Sequence, residues 1–210
     1  MNLRDPEFIK RLEMLALLAR RVLSGTLRSE RRTRKRGSGF VFADYAEYNL
    51  GDDYRSIDWN IYARMESLVV KLFELEEEAS VYVLLDLSPS MTAKLDFAKK
   101  LAAAVSYIAL HRHDRLAIYG ISDRLETVLE HSHGRAKIFP MLEALEKAAT
   151  FGSDTKLQES VRGFQLRQKR PGICVLISDF LTPEGLKSAI DCLRWSKNDV
   201  HCIQTLDKAE

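Results

Sequence analysis

The part of the chain that follows Ser80 alternates short apolar runs with amphipathic segments, and this alternation restricts the fold most. Apolar runs with strand character cover 81–85, 115–121, 124–129, 173–178 and 200–206. Segments with helical spacing of apolar residues lie between them, at 95–111, 137–148, 157–167 and 183–195. Such alternation is typical of a mainly parallel sheet with helices on both faces. The pattern therefore predicts an α/β fold whose functional groups gather beyond the carboxyl ends of the strands.

The region before Ser80 divides into two parts. Residues 1–36 contain a predicted amphipathic helix over 6–23, ending before Ser24-Gly25, and then a basic arm over 28–36. Residues 37–79 form an appendage that is rich in aromatic residues and contains a predicted strand within 68–75. With the α/β domain over 80–210, the sequence predicts three regions.

Composition excludes several classes of protein. No apolar run approaches the roughly 20 residues of a membrane span, and the polar N-terminus is unlike a secretory signal. Three widely spaced cysteines do not make a disulfide framework, so we expect a reduced, cytoplasmic protein. The net charge of +2 combines a basic block over 1–40 with an acidic block over 41–80, and opposite blocks can face each other. Charge therefore argues only weakly for nucleic-acid binding.

Carboxylates and hydroxyls follow two of the predicted buried strands. Asp86, Ser88 and Ser90 come directly after the first strand, and Asp179 follows Ser178 at the end of a later one. Because parallel strands place their carboxyl ends at one edge of the sheet, we expect these side chains to converge. Taken singly, each has an alternative role as a strand-end carboxylate or a helix cap.

A loop between these two strands adds a third hydroxyl. Thr155 ends the segment Gly152-Ser153-Asp154-Thr155, just before a predicted helix. Asp154 adds a carboxylate that either assists a metal or turns the loop. Two carboxylates and three hydroxyls are hard oxygen donors, which suit Mg²⁺ or Mn²⁺ better than zinc or copper.

The D-x-S-x-S run, the later threonine loop and the later aspartate resemble the metal-ion-dependent adhesion site of von Willebrand factor A domains. The resemblance covers roughly 80–206. It implies that Asp86, Ser88, Ser90 and Thr155 hold the metal directly or through water, that Asp179 acts mainly through a bound water, and that a partner's carboxylate fills the open position. Pro89 stands where that family usually carries a small residue, which suits a turn that opens at position 89.

The segment before Ser80 resembles one particular family more specifically. The residues concerned are Gly39-Phe40, Tyr45, Tyr48, Gly51-Asp52-Asp53, Arg55, Ile57-Asp58-Trp59 and Ala63-Arg64. Together with Asp86–Met91 they resemble domain-of-unknown-function family 58 (DUF58), bacterial proteins commonly encoded beside MoxR-type AAA+ ATPases. The resemblance implies a non-catalytic adaptor for such an ATPase in the assembly or maturation of a client protein. Family members usually continue past the last strand, which leaves open whether the domain over 80–210 is C-terminally incomplete.

Arg55, Asp58 and Trp59 allow two interpretations. A buried Arg55–Asp58 pair beside Trp59 would fix the appendage, since buried charges require partners. Alternatively, these residues form a partner surface together with Asp154, because Arg and Trp favour interface hot spots.

Two rival functions remain open. Asp86 could be the nucleophile of a metal-dependent phosphatase-like enzyme, but such enzymes need a second Asp two residues later, where this chain has Ser88. The basic arm over 28–36 could bind nucleic acid, and such binding would weaken steeply with salt. No P-loop or dinucleotide fingerprint is present, so we expect any ATP dependence to come from a partner.

Overall fold

The structure is a computed structural model that describes residues 2–27, 32–33, 40–75, 78–181 and 186–207. Its helices are α1 (Pro6–Leu27), α2 (Trp59–Met65), α3 (Leu95–His111), α4 (Ile138–Lys147), α5 (Leu157–Arg167) and α6 (Leu186–Trp195). Its strands are β1 (Arg32–Thr33), β2 (Phe40–Glu47), β3 (Val69–Leu75), β4 (Ser80–Asp86), β5 (Arg115–Ile121), β6 (Leu125–His133), β7 (Ile173–Ser178) and β8 (Asp199–Gln204). Two compact units are distinguished: Leu18–Glu77, and Met1–Leu17 together with Glu78–Glu210.

The larger unit contains a five-stranded sheet in the order β6-β5-β4-β7-β8. The pairs β4–β5, β4–β7 and β7–β8 are parallel, and only β6 at one edge runs antiparallel. Every residue of β4 is buried, as expected of an apolar run at the centre of a parallel sheet. The predicted α/β class, with a mainly parallel sheet, is confirmed.

The two faces of β4 contribute to two separate cores because side chains alternate along a strand. Val83 and Leu85 belong to one core, which α3 and α4 cover. Tyr82 and Leu84 belong to the other core, which α5 and α6 cover. Helices therefore pack on both faces of the sheet, and its carboxyl edge is formed by the loops that follow the parallel strands β4, β5, β7 and β8.

The N-terminal segment packs on the first of these cores. Leu3, Leu12 and Ala16 are buried there. Glu146 of α4 accepts a hydrogen bond from the backbone N–H of Leu3 at 2.6 Å and forms an ion pair with Arg4 at 2.9 Å. This start of α1 therefore belongs to the α/β unit.

The smaller unit contains an antiparallel sheet in the order β1-β3-β2. β2 and β3 pair from Phe40↔Leu75 to Glu47↔Val69, with a register shift between Phe42 and Asp44. The connection between them carries α2 and a short 3-10 turn over Tyr54–Ser56. The strand predicted within 68–75 is confirmed as β3.

Several predicted boundaries differ from the structure. α1 continues through Ser24 and Gly25 to Leu27, because glycine inside a helix costs only about 1 kcal/mol. β6 continues past Leu129 to His133, because β5 offers backbone partners along that whole length. β8 ends at Gln204 instead of 206. Most of the basic arm 28–36 lies outside the described residues, as does the start predicted for the last helix at Pro183.

Membrane insertion is a separate question. Among the helices that the structure describes, none is both long enough and apolar enough to cross a membrane.

Candidate functional site

Asp86 ends β4 at the carboxyl edge of the five-stranded sheet, and its side chain is 0% exposed. Its Oδ1 accepts a hydrogen bond from the backbone N–H of Ser88 at 2.9 Å. Its Oδ2 accepts one from the hydroxyl of Ser178 at 2.5 Å. The second contact follows from the parallel pairing of β4 with β7, which brings both strand ends to one edge. The two strand ends that the sequence singled out therefore meet here.

Ser88 and Ser90 lead from the interior to the surface. Ser88 is fully buried and extended, and a 3-10 turn over Pro89–Met91 follows it, with proline in the first turn. Pro89 thus opens a turn, the position at which the fixed φ of proline was expected to fit. The two hydroxyl oxygens lie 3.1 Å apart, and Ser90 is exposed. The two neighbouring hydroxyls therefore lie one in the interior and one at the surface.

Asp179 follows β7 at the same edge of the sheet and is almost completely buried. Its Oδ1 accepts a hydrogen bond from the backbone N–H of Leu181 at 3.0 Å, and its Oδ2 accepts one from Lys94 Nζ at 2.9 Å. Burial alone would raise the pKa of Asp179, but the hydrogen bonds from Leu181, Lys94 and Ser90 hold that pKa below its ordinary value. Asp179 is therefore ionised and already paired with a cation.

Backbone and side-chain hydrogen bonds attach the loop that carries Thr155 to the same edge. The backbone N–H of Phe151 donates to Leu87 O at 2.8 Å. The Ser122 hydroxyl donates to Phe151 O at 2.7 Å and lies 3.1 Å from Asp154 O. Thr155 is half-buried, and its backbone N–H donates to Asp154 Oδ1 at 2.7 Å. The exposed Asp154 thus forms a hydrogen bond within the loop, and its assistance to a metal stays a prediction.

Gly152 allows this loop to approach the strand ends. Its φ is +75°, a conformation that glycine adopts without strain. A Cβ at this position would lie 2.5 Å from Asp123 Oδ1 and 2.7 Å from Ser122 Oγ. A larger residue here would push the Thr155 loop away from its anchor.

The electrostatics of Asp86 differ from those of Asp179. Burial raises the pKa of Asp86, and the hydrogen bonds from Ser178 and Ser88 offset this only in part. No Lys, Arg or His within the described residues forms an ion pair with Asp86. Burying a carboxylate without a counter-charge is costly, so a bound cation would stabilise this arrangement.

The donor set fits a hard divalent cation. No group of three or more His, Cys, Asp or Glu in the described part of the chain could hold a metal, so a site here would depend on the hydroxyls. Asp86, Asp179, Ser88 and Ser90 supply oxygen atoms alone, the chemistry that Mg²⁺ and Mn²⁺ prefer. Among the residues that the structure describes, Lys94 is a neighbouring group whose charge opposes a cation.

The signature segment, meaning the part of the DUF58-like motif over residues 51–64, contains two turns that aspartate side chains cap. Asp53 caps the 3-10 turn by accepting from the backbone N–H of Arg55 at 3.0 Å. Asp58 caps α2 by accepting from the backbone N–H of Asn60 at 3.0 Å. Two successive caps therefore account for the spacing of the two aspartates in the family-like motif.

The predicted buried Arg55–Asp58 pair is wrong. Arg55 is exposed, and Asp58 instead forms an ion pair with Lys71 at 2.8 Å. The hydrogen bond from Lys71 holds the pKa of Asp58 below its ordinary value. Trp59 is 58% exposed and packs edge-on against Tyr62. Asp58 therefore has an internal role, whereas Arg55 and Trp59 lie on the surface.

Four residues of the site were not predicted from the sequence to take part in it: Lys94, Ser122, Gly152 and Ser178. Gly152 carried a readable signal, since glycine just before a hydroxyl-rich loop commonly marks a positive φ. Lys94 and Ser122 carried none, because their partners lie 85 and 32 residues away along the chain.

Comparison with known proteins shows the family. The family model described as "Protein of unknown function DUF58" matches residues 44–210, which is most of the chain. The chain belongs to this family. The matched region includes Asp86, Asp179 and both capping aspartates, so the DUF58 resemblance seen in the sequence is confirmed.

Curated relatives match this chain over almost its whole length, and they are longer than it. Uncharacterized protein Rv1480 from Mycobacterium tuberculosis is 26% identical over 211 residues, covering 97% of this chain and 66% of the relative. Uncharacterized protein Mb1516 from Mycobacterium bovis matches to the same extent. The chain thus spans just under two-thirds of the length of these relatives.

One solved structure supports the fold alone, and a second is similar to a lesser extent. The conserved hypothetical protein BatB from Bacteroides thetaiotaomicron is similar with a TM-score of 0.51 and 18% identity, over 60% of this chain and 66% of that one. A von Willebrand factor type A protein from Catenulispora acidiphila has a TM-score of 0.48 and 16% identity, over 64% and 34% of the respective chains.

Proposed function

We propose that this DUF58 chain is a non-catalytic protein-interaction module whose binding depends on Mg²⁺ or Mn²⁺. The observation that carries the proposal is Asp86, a fully buried carboxylate at a strand end that no described cationic residue neutralises. Ser88, Ser90 and Thr155 would hold the cation together with Asp86, and Asp179 would act through a bound water. The bound cation would supply positive charge and an open coordination position for a carboxylate of a partner.

The chain's own contribution is to hold the oxygen donors in place before any ligand arrives. Ser178 and the backbone N–H of Ser88 orient the two Asp86 oxygens, and Ser122 fixes the Thr155 loop. Side chains fixed in this way lose little entropy on binding. Since Ser88 is buried and Ser90 exposed, the partner would approach from the Ser90 side.

Binding fits the geometry better than the phosphatase alternative. A nucleophilic carboxylate must reach a substrate, whereas Asp86 is fully buried and both its oxygens accept hydrogen bonds. The residue two positions later is Ser88, whose hydroxyl has no acidity suited to protonating a leaving group. We therefore propose that the protein is not an enzyme.

The partner that we propose is a MoxR-type AAA+ ATPase or its client, in the cytoplasm. Support comes from membership of the DUF58 family together with the resemblance in the signature segment. The exposed residues Arg55 and Trp59 offer a second contact surface of the kind that interfaces use.

Calorimetric titration of Mg²⁺ and Mn²⁺ into the chelator-stripped protein tests the cation site. We expect one saturable site, lost in Asp86→Ala and weakened in Thr155→Ala, with both variants folded by circular dichroism. Ser132 lies on β6 and its hydroxyl donates to Glu130 O at 3.0 Å, so Ser132→Ala provides the control. Equal binding by all four proteins would refute the assignment.

A second experiment separates protein binding from nucleic-acid binding. Capture of a MoxR-type AAA+ ATPase from the same organism should be lost on chelation and in Asp86→Ala, and it should tolerate moderate salt. Binding that ignores chelation and collapses with salt would support the basic arm as the functional element instead.

A further inference from the structure

A fixed positive charge already lies within the proposed cation site. Lys94 immediately precedes α3 and is 5% exposed, and its Nζ lies 2.9 Å from Asp179 Oδ2. Asp179 directly follows Ser178, whose hydroxyl donates to Asp86 Oδ2 at 2.5 Å. Lys94 therefore lies at the same strand end as the proposed ligands. Lysine is rarely buried unless it is paired.

The formal charges of this group decide what it can bind. Counting only the side chains of Asp86, Asp179 and Lys94, with both carboxylates ionised and the ammonium protonated, these three groups carry one net negative charge. A divalent cation changes this to one net positive charge, and one carboxylate from a partner then restores neutrality. Without Lys94, the metal alone would neutralise the group, and an arriving carboxylate would leave an excess negative charge.

We propose that the Lys94 ammonium weakens the binding of a divalent cation at this site and strengthens the binding of a partner's carboxylate to the metal-loaded protein. This inference rests on the proposed function, because it concerns the same cation. Its physical basis is Coulombic: charges in a buried setting interact more strongly than the same charges in water. Metal and carboxylate would then bind with positive coupling, and each would raise the affinity for the other by the same factor.

The test is calorimetric titration of Mg²⁺ into the wild type, Lys94→Gln and Lys99→Gln, each with and without acetate as the carboxylate probe. Lys99 is the matched control, because it is a buried lysine of α3 whose Nζ donates to Glu146 O at 3.1 Å, away from the site. We expect Lys94→Gln to bind Mg²⁺ about tenfold more tightly than the wild type, the change that one nearby unit charge makes. We also expect acetate to tighten Mg²⁺ in the wild type and Lys99→Gln but not in Lys94→Gln.

The outcomes separate this inference from the proposed function. The inference is supported if Lys94→Gln is the one protein of the three that binds Mg²⁺, or if it binds Mg²⁺ much more tightly than the other two. Equal affinity and equal acetate dependence in all three proteins overturn the role of Lys94 but leave the cation site intact. Absence of Mg²⁺ binding in all three proteins overturns the proposed function itself.

A measurement on the wild type covers the case in which Lys94→Gln does not fold, since removing one partner of a buried pair is strongly destabilising. The side-chain ammonium signals of Lys94 and Lys99 are followed by NMR during Mg²⁺ titration. We expect the Lys94 signal to shift with the metal occupancy while the Lys99 signal stays constant. A Lys94 signal that is unchanged at saturating Mg²⁺ overturns the inference.

Discussion

Two buried serines allow the anchor of the Thr155 loop to be tested against a matched control. Ser122 and Ser106 are both fully buried. The Ser122 hydroxyl donates to Phe151 O at 2.7 Å and lies 3.1 Å from Asp154 O. The Ser106 hydroxyl, in α3, has no hydrogen-bond partner within the described residues. Substitution by alanine therefore removes the same atom from two opposite environments.

The expected free energies of unfolding follow from these contacts. Ser122→Ala removes a hydrogen bond with a net value of about 1 kcal/mol and leaves carbonyl groups without a donor, so we expect a loss of about 1–3 kcal/mol. Ser106→Ala breaks no hydrogen bond and improves helix propensity by about 0.5 kcal/mol. We therefore expect it to be neutral or stabilising by up to about 1 kcal/mol.

Urea unfolding followed by circular dichroism measures both changes, provided that the dependence on urea is the same in all variants. Mg²⁺ titration of the same proteins should show weaker binding in Ser122→Ala only, because the loop that carries Thr155 loses its anchor. Equal losses of stability in the two variants, or a larger loss in Ser106→Ala, would refute the reasoning.

Three further predictions concern other parts of the fold. Gly152→Ala should lose about 1–2 kcal/mol of stability for its left-handed backbone, measured by urea unfolding, and should bind Mg²⁺ more weakly; wild-type behaviour would contradict the loop geometry. Burial raises the pKa of the Cys174 thiol to about 12, so a thiol reagent should label the exposed Cys202 first in the native protein; rapid labelling of Cys174 would contradict its place in β7. Burial raises the pKa of Asp114 above its ordinary value of 3.8. The wild type should therefore lose stability as the pH rises from that ordinary value through the raised one, whereas Asp114→Asn should lose less. Identical pH profiles of stability would contradict this assignment.

Much of the fold could be predicted because buried parallel strands are nearly continuous apolar runs. The predicted strand 173–178 and the helices 95–111 and 157–167 agree with β7, α3 and α5 residue for residue. Boundaries were missed where tertiary pairing outweighs local composition. The polar end of β6 is an example, since β5 holds it in the sheet as far as His133.

The candidate site was predictable only in part. Asp86 and Asp179 were found because strand ends are visible in the sequence and parallel strands place those ends together. Lys94 was missed because its role depends on the packing of a helix start against a strand end 85 residues later. Asp58 was misinterpreted because its partner, Lys71, comes from a neighbouring strand that the sequence does not align with it.

Anomalous diffraction at the manganese edge, from crystals grown with Mn²⁺, tests the central claim most directly. The account predicts one strong peak bounded by oxygen atoms of Asp86, Ser88, Ser90 and Thr155, with Asp179 reaching it through water. In Asp86→Ala crystals this peak should be absent. A peak elsewhere in the molecule, or none beside Asp86 in the wild type, would contradict the account.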